Sequence, residues 1–147
     1  MYRDTVGHRI KTVNNLMKRH MDKVFGHKPD RATLMHMWII GFLQKREEEH
    51  LDTFQKDIEA EFSINRSTTS EMLKLMCKKG MIQRVPVDYD ARLKKIVLTN
   101  QSRALNNKVE NQMKIVHNHL VDGLTDEEID TLLSILDKLI VNLKREL

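Results

Sequence analysis

The sequence lacks the features that stabilise secreted proteins and anchor membrane proteins. Cys77 is the only cysteine among 147 residues, so no disulfide can form within the chain, and a reducing compartment is expected. No apolar run approaches the roughly 18 residues that a membrane-spanning helix needs. The first residues, MYRDTVGHRIK, also lack the apolar core of a signal peptide. These absences predict a cytoplasmic protein without a membrane partner.

The sequence also lacks a recognisable catalytic or metal site. It has neither a glycine-rich phosphate loop nor a nucleophile elbow, which predicts that the protein is not an enzyme and has no catalytic residues. His117 and His119 are two positions apart on a predicted helix and therefore point to different faces. Glu47 and His50 have a chelating spacing but lie in an acidic stretch that we expect to be exposed. No metal and no cofactor are expected, and redox sensing through Cys77 is a minor alternative.

Aromatic residues make up only 5% of the chain, with one Trp against nine Met, which indicates an adaptable aliphatic core. The composition, 40% hydrophobic and 31% charged, is that of one folded domain over residues 1–147. The net charge of +4 is unevenly distributed, because residues 63–99 hold eight Lys or Arg and only three Asp or Glu. This cluster indicates either a polyanionic partner or a solvated basic face.

Apolar periodicity predicts helices at both ends of the chain. Residues 3–26 carry one apolar stripe with steps of three and four, and Gly26 ends it. Asp30 can cap a second helix. A long helix is predicted from residue 100, and the final helix carries an apolar stripe over 129–147 that is wide for one small domain to cover. Since large exposed apolar patches mark interfaces, these terminal helices predict a homodimer.

The middle of the chain predicts a helix-turn-helix followed by a two-stranded wing. A short amphipathic helix ends at Phe62, and residues 63–65 form the turn. Asn65 is a good N-cap for the next helix, and Gly80 follows that helix as a C-terminal glycine should. The predicted hairpin has strands over 81–87 and 95–99 and a tip over 88–93.

The helix after Asn65 begins with the stretch RSTTS, whose residues are weak or middling helix formers. In a helix-turn-helix, the second helix enters the major groove with its N-terminal residues at base edges, and small hydroxyl side chains permit that approach. Arg66 is the strongest candidate for reading a base, since its fork matches guanine O6 and N7. For the hydroxyls, capping or exposed polar surface is the alternative. The predicted DNA-binding residues of this helix are Arg66, Ser67, Thr68, Ser70 and Lys74.

The predicted wing carries further candidates for DNA contact. A carboxylate such as Asp90 can hold Arg92 in a fixed pose, and a basic residue on a wing can reach into a minor groove. Lys94 and Lys95 would then meet phosphates. The alternative is an Asp-stabilised turn with solvated basic residues.

Residues 55–99 resemble the winged helix of the MarR family of bacterial transcriptional regulators. The matching segments are KDIEAEFSINRSTTSEMLKLMCKKG, MIQRV, DYDARLKK and IVLT, and Asp90 with Arg92 resembles a hallmark of the family's wing. The resemblance implies a mainly α fold with a small β-wing, in which a DNA-binding lobe at 30–99 is flanked by dimerisation helices at 1–27 and 100–147.

The resemblance also implies a function. It implies a homodimer that binds double-stranded DNA at a pseudopalindromic operator, often as a repressor that a small-molecule effector or an oxidant releases. The rival interpretation is a winged-helix protein-interaction module without specific DNA binding. The basic wing and the hydroxyl-rich helix start favour DNA, whereas no residue pattern selects a ligand-binding position.

Overall fold

The computed structural model describes residues 2–26 and 34–147. These residues form six α-helices and one antiparallel two-stranded sheet, after a 3-10 turn at Tyr2–Asp4. The elements are, in chain order, α1 (Val6–Phe25), α2 (Leu34–Glu48), α3 (Gln55–Phe62), α4 (Arg66–Lys78), β1 (Ile82–Val87), β2 (Asp90–Leu98), α5 (Asn100–Val121) and α6 (Asp126–Arg145). The predicted fold class, mainly α with a small β-wing, is confirmed. Within the described ranges, no helix combines the length and the apolarity that crossing a bilayer requires.

Two apolar clusters connect the elements other than α6. The larger one packs α2, α3 and α4 against the sheet, and Ile58 and Leu73 in it have no exposed surface. Fully burying an aliphatic side chain of this size contributes about 1.5–3 kcal/mol, so this cluster fixes α4 firmly against α3. The second cluster joins α1, α2 and α5 through Met21, Met37 and Val116.

The predicted signals for helix ends are found in the middle and last thirds of the chain. The Asn65 side chain accepts the backbone N–H of Thr68 at 2.8 Å and caps α4. Thr125 and Glu128 accept each other's backbone N–H at 3.1 Å, which forms a capping box at the start of α6. Gly80 follows α4 with a φ of 72°, a conformation that glycine adopts without steric cost.

The first helix begins later than the apolar stripe predicts. Its start is at Val6, because the Thr5 hydroxyl accepts the backbone N–H of His8 at 3.3 Å and caps the helix there. Its end at Phe25, followed by Gly26, agrees with the prediction. The predicted cap at Asp30 lies outside the described residues.

The wing hairpin differs from the prediction of a six-residue tip. The strands are longer, and only Asp88 and Tyr89 connect them. Val87 pairs with Asp90 and Pro86 pairs with Lys94, so residues 91–93 bulge out of β2. The bulge has a local cause, since the Asp90 carboxylate accepts the backbone N–H of Arg92 at 2.9 Å. The predicted tip was therefore wrong in length, because a short turn and an adjacent bulge give the same polar pattern.

The last helix lies outside both apolar clusters. None of the 20 residues of α6, all of them described, is buried. Leu132, Leu133 and Leu143 are 45%, 55% and 70% exposed. The helix thus presents an apolar face that its own chain does not cover.

Candidate nucleic-acid interface

The N-terminal half of α4 presents an exposed polar surface. Arg66, Ser67 and Thr68 are exposed, and the adjacent Thr69 is fully buried, with its hydroxyl donating to the backbone oxygen of Asn65 at 2.7 Å. Thr69 thus anchors the first turn while its neighbours face outward. Lys74 is also exposed two turns further on. The row of small hydroxyls therefore has two roles, core anchoring for one residue and an accessible surface for the others.

Ser70 lies at the edge of this surface and is not fully exposed. It is half-buried, and its hydroxyl accepts a hydrogen bond from Gln55 Nε2 at 2.8 Å. Gln55 also donates to the backbone oxygen of Arg66 at 3.4 Å and accepts from Arg84 at 3.4 Å. This amide consequently ties the first turns of α3 and α4 to strand β1. Sequence reasoning missed Gln55 and Arg84, because their separation of 29 positions leaves no local signal.

On the wing, Asp90 holds Arg92 by its side chain as well as by its backbone. Arg92 Nε lies 3.3 Å from Asp90 Oδ1, and Arg92 Nη2 lies 3.3 Å from Asp90 Oδ2. The hydrogen bonds from the Arg92 side chain, and next from its backbone N–H, hold the pKa of Asp90 below its ordinary value. The Arg92 side chain is still 90% exposed. The pair therefore presents an oriented guanidinium to the solvent.

The two wing lysines differ in their surroundings. Lys94 is exposed. Lys95 is half-buried, and its ammonium donates to Asp52 Oδ1 at 3.3 Å. The other oxygen of Asp52 accepts from the Tyr89 hydroxyl at 3.3 Å. The Asp52 pairing was not predicted, since 43 positions separate Asp52 from Lys95.

One residue in the acidic end of α2, Glu47, is less exposed than its sequence predicts. Glu47 accepts from Arg103 Nη2 at 3.0 and 3.1 Å through its two carboxylate oxygens. The same carboxylate accepts the backbone N–H of Leu98 at 3.2 Å. Glu48, Glu49 and His50 are exposed as predicted, whereas Glu47 is half-buried because α5 and the end of β2 pack against it. This contact joins α2 and β2 to α5.

The histidines of residues 2–26 and 34–147 do not cluster with one another or with Cys77 into a metal site. His36 is buried, and burial and then the charge of Lys79 lower its pKa. Cys77 is half-buried in the second half of α4. His20 and His119 stack edge to face with ring centroids 5.8 Å apart. Among residues 2–26 and 34–147, no three potential metal ligands come together.

Two open cavities lie between α2 and α5. The first, of about 330 Å³, lies between the ends of α1 and α4, α2 and the first half of α5. Its lining is mainly apolar with two cationic side chains and includes Phe25, Met37, Ile40, Lys79, Met81, Leu105, Lys108 and Val109. The second, of about 560 Å³, lies between α2, the end of α3 and α5. Its lining includes Trp38, Phe42, Lys45, Glu48, Phe62, Asn106 and Met113.

Helix α3, the turn, the capped helix α4 and the hairpin with its oriented arginine define a winged helix-turn-helix protein. A comparison with known families agrees, since the model described as "MarR family" matches residues 33–93. The matched segment holds the helix-turn-helix and most of the wing, and over this segment the chain is similar to the MarR family. Members of this family are transcription regulators and not enzymes. No curated protein matches the sequence.

Solved structures extend the similarity to nearly the whole chain. A transcription regulator MarR from Oenococcus oeni is 29% identical, with a TM-score of 0.75 over 92% of this chain and 98% of that one. A mutant of E. coli MarR in complex with operator DNA is 20% identical, with a TM-score of 0.77 and coverage of 95% and 97%. Bordetella bronchiseptica BpsR, whose DNA binding 6-hydroxynicotinic acid regulates, is 16% identical, with a TM-score of 0.79 and coverage of 95% of each chain. The last two show a shared fold.

Proposed function

We propose that this protein is a sequence-specific DNA-binding transcriptional regulator. The observation that carries the proposal is the exposed start of α4, where Asn65 fixes the helix cap and leaves Arg66, Ser67 and Thr68 accessible. Helix N-termini offer free N–H groups to phosphate oxygens, and short hydroxyl side chains let the backbone approach base edges. The basic wing lies on the same lobe and extends the surface.

The residues of α4 and the wing divide into three roles. Arg66 reads a base in the major groove, with Ser67, Thr68 and Ser70 contacting bases or phosphates beside it. Arg92, oriented by Asp90, enters a minor groove. Lys74, Lys94 and Lys95 contact phosphates, which adds affinity without sequence preference.

We propose further that the protein acts as a homodimer through its terminal helices, at 1–27 and 100–147. The uncovered apolar face of α6 supports this, since monomeric proteins rarely leave large contiguous apolar patches in water. A two-fold dimer places its two lobes on half-sites about one helical turn apart, roughly 34–36 Å, so the operator is expected to be pseudopalindromic.

More specifically, we propose that the protein is a repressor and that a small molecule releases it from DNA. The cavity of about 330 Å³ supports it, since it has the size of a small-ligand site and lies between the lobe and α5. A ligand with different affinities for two lobe positions shifts their populations, and this alters the spacing of the two α4 helices. The regulated relative BpsR has the same fold. We expect the protein to act in the cytoplasm.

Selection of bound fragments from a genomic DNA pool tests the proposal directly. Recovery of related, two-fold symmetric sites supports a sequence-specific dimer. Equal recovery of all fragments would show that the protein binds DNA without sequence specificity. Absence of any recovery would favour the rival function, a winged-helix module that binds other proteins.

A further inference from the structure

Asp52 connects the loop between α2 and α3 to two points on the wing. Its Oδ1 atom accepts from the Lys95 ammonium at 3.3 Å, and its Oδ2 atom accepts from the Tyr89 hydroxyl at 3.3 Å. Lys95 lies on β2, and Tyr89 lies in the turn of the hairpin. One carboxylate therefore engages a cation of the proposed DNA-binding surface and the tip of the same wing.

The loop that carries Asp52 is itself held in place. The backbone N–H of Ile96 donates to the Thr53 oxygen at 2.7 Å, which fastens the loop beside β2. Arg46 donates to the backbone oxygen of Asp52 at 2.6 Å and to the Thr53 hydroxyl at 3.0 Å. The carboxylate therefore stays beside Lys95 whether or not the lysine turns towards another partner.

The Asp52–Lys95 ion pair is accessible enough for another anion to replace the Asp52 carboxylate on Lys95. Their side chains are 40% and 34% exposed, respectively, and ion pairs in contact with water are weak and screened by salt. A phosphate oxygen can replace the carboxylate on the Lys95 ammonium. The replacement leaves Asp52 with an uncompensated negative charge close to the negative charge of DNA.

We propose that Asp52 is a built-in competitor of DNA for Lys95, which lowers the affinity for every DNA sequence by the same factor. The inference rests on the proposed DNA binding and deepens it. A Lys–phosphate contact releases a counterion from DNA, but the carboxylate that Lys95 leaves takes up a cation in return. The salt dependence that Lys95 contributes is thereby reduced, and sequence preference stays with α4.

The test measures the affinity of wild type and variants for the selected operator and for a random duplex at four or more salt concentrations. Asp52→Asn keeps the shape and a hydrogen-bond acceptor for Tyr89 but removes the charge. It should raise the affinity for both duplexes by the same factor, about two- to five-fold at low salt. The plot of log affinity against log salt should become steeper by up to about one unit.

Two comparisons separate this competition from a general charge effect. Asp88→Asn makes the same change in charge on an exposed wing residue and should leave the salt slope unchanged. The double variant Asp52→Asn/Lys95→Ala should bind like Lys95→Ala alone, since the competitor has nothing left to compete for. Thermal unfolding of each variant verifies that the fold is intact.

The possible failures are distinguishable. If the wild type binds DNA and Asp52→Asn binds no better, or weakens the operator alone, Asp52 is not a competitor and the inference is overturned. An equal gain from Asp88→Asn would overturn it as well. If the wild type binds neither duplex, the proposed function itself fails, and this inference fails with it.

Discussion

The contact of Glu47 with Arg103 and Leu98 permits a quantitative prediction about the junction between lobe and α5. The carboxylate has two partners of different character: a charged side chain on α5, and the backbone N–H of Leu98, a residue that is 2% exposed. Glu47→Ala removes both interactions. Glu47→Gln retains an oxygen for the backbone and loses the charge, whereas Arg103→Ala leaves the backbone bond untouched.

The expected losses follow from the exposure of each group. The side chains of Glu47 and Arg103 are 31% and 47% exposed. Because solvent screens their ion pair, it contributes only about 0–1 kcal/mol to the free energy of unfolding. A buried N–H left without an acceptor costs about 1–3 kcal/mol. Glu47→Ala should therefore lower the free energy of unfolding by about 1–3 kcal/mol, and Glu47→Gln and Arg103→Ala by about 1 kcal/mol or less.

Urea denaturation at one fixed protomer concentration measures these differences, because the stability of an oligomer depends on concentration. Glu49→Ala provides a control with the same change in charge at an exposed position nearby. Equal losses for Glu47→Ala and Glu47→Gln would show that the Leu98 N–H does not depend on this carboxylate. A loss for Glu49→Ala as large as that for Glu47→Ala would attribute the effect to net charge.

Three further predictions concern DNA contact, assembly and pH. Arg66→Ala should cost about 1–3 kcal/mol and relax the preference at one base pair of each half-site, whereas Lys94→Ala should weaken all sequences alike and lower the salt slope by about one unit. Affinities across a library of DNA sites distinguish the two variants. If each variant lowered the affinity for every site by the same factor, base reading by α4 would be refuted. Leu136→Glu with Leu143→Glu should yield monomers or unfolded chain in sedimentation, and a wild type that is monomeric at micromolar concentration would contradict the dimer. Because the folded pKa of His36 is lowered, the unfolded chain binds its proton first, so the free energy of unfolding should fall as pH drops below about 6.5. His36→Gln should remove that part of the pH dependence, and an unchanged curve would exclude His36 as its source.

Local patterns were sufficient to predict the helix-turn-helix, because its signals lie within a few positions of each other. The Asn65 side chain caps α4 by accepting the backbone N–H of Thr68, three positions further on. Asp90 binds Arg92, two positions further on. The fold class follows from such signals and from the apolar periodicity. The division into a lobe at 30–99 and dimerisation helices at either end stays a prediction.

The long-range polar contacts could not be predicted from the sequence. Gln55 and Arg84, Asp52 and Lys95, and Glu47 and Arg103 are 29, 43 and 56 positions apart. Each contact depends on how the hairpin and α5 lie against the helices, which periodicity does not encode. The hairpin register depends on a bulge whose polar residues also suit a longer turn. The surroundings of the proposed DNA-contacting residues were therefore less predictable than the residues themselves.

The uncovered face of α6 has a consequence for how the protein appears in the cell. A newly made chain presents Leu132, Leu133 and Leu143 to water until another copy covers them, if the proposed dimer is correct. Folding of this helix and pairing of two chains then form a single equilibrium, so the folded fraction rises with the amount of protein present. Chains without a partner remain substrates for chaperones and proteases. The abundance of such a regulator would respond more than proportionally to its rate of synthesis.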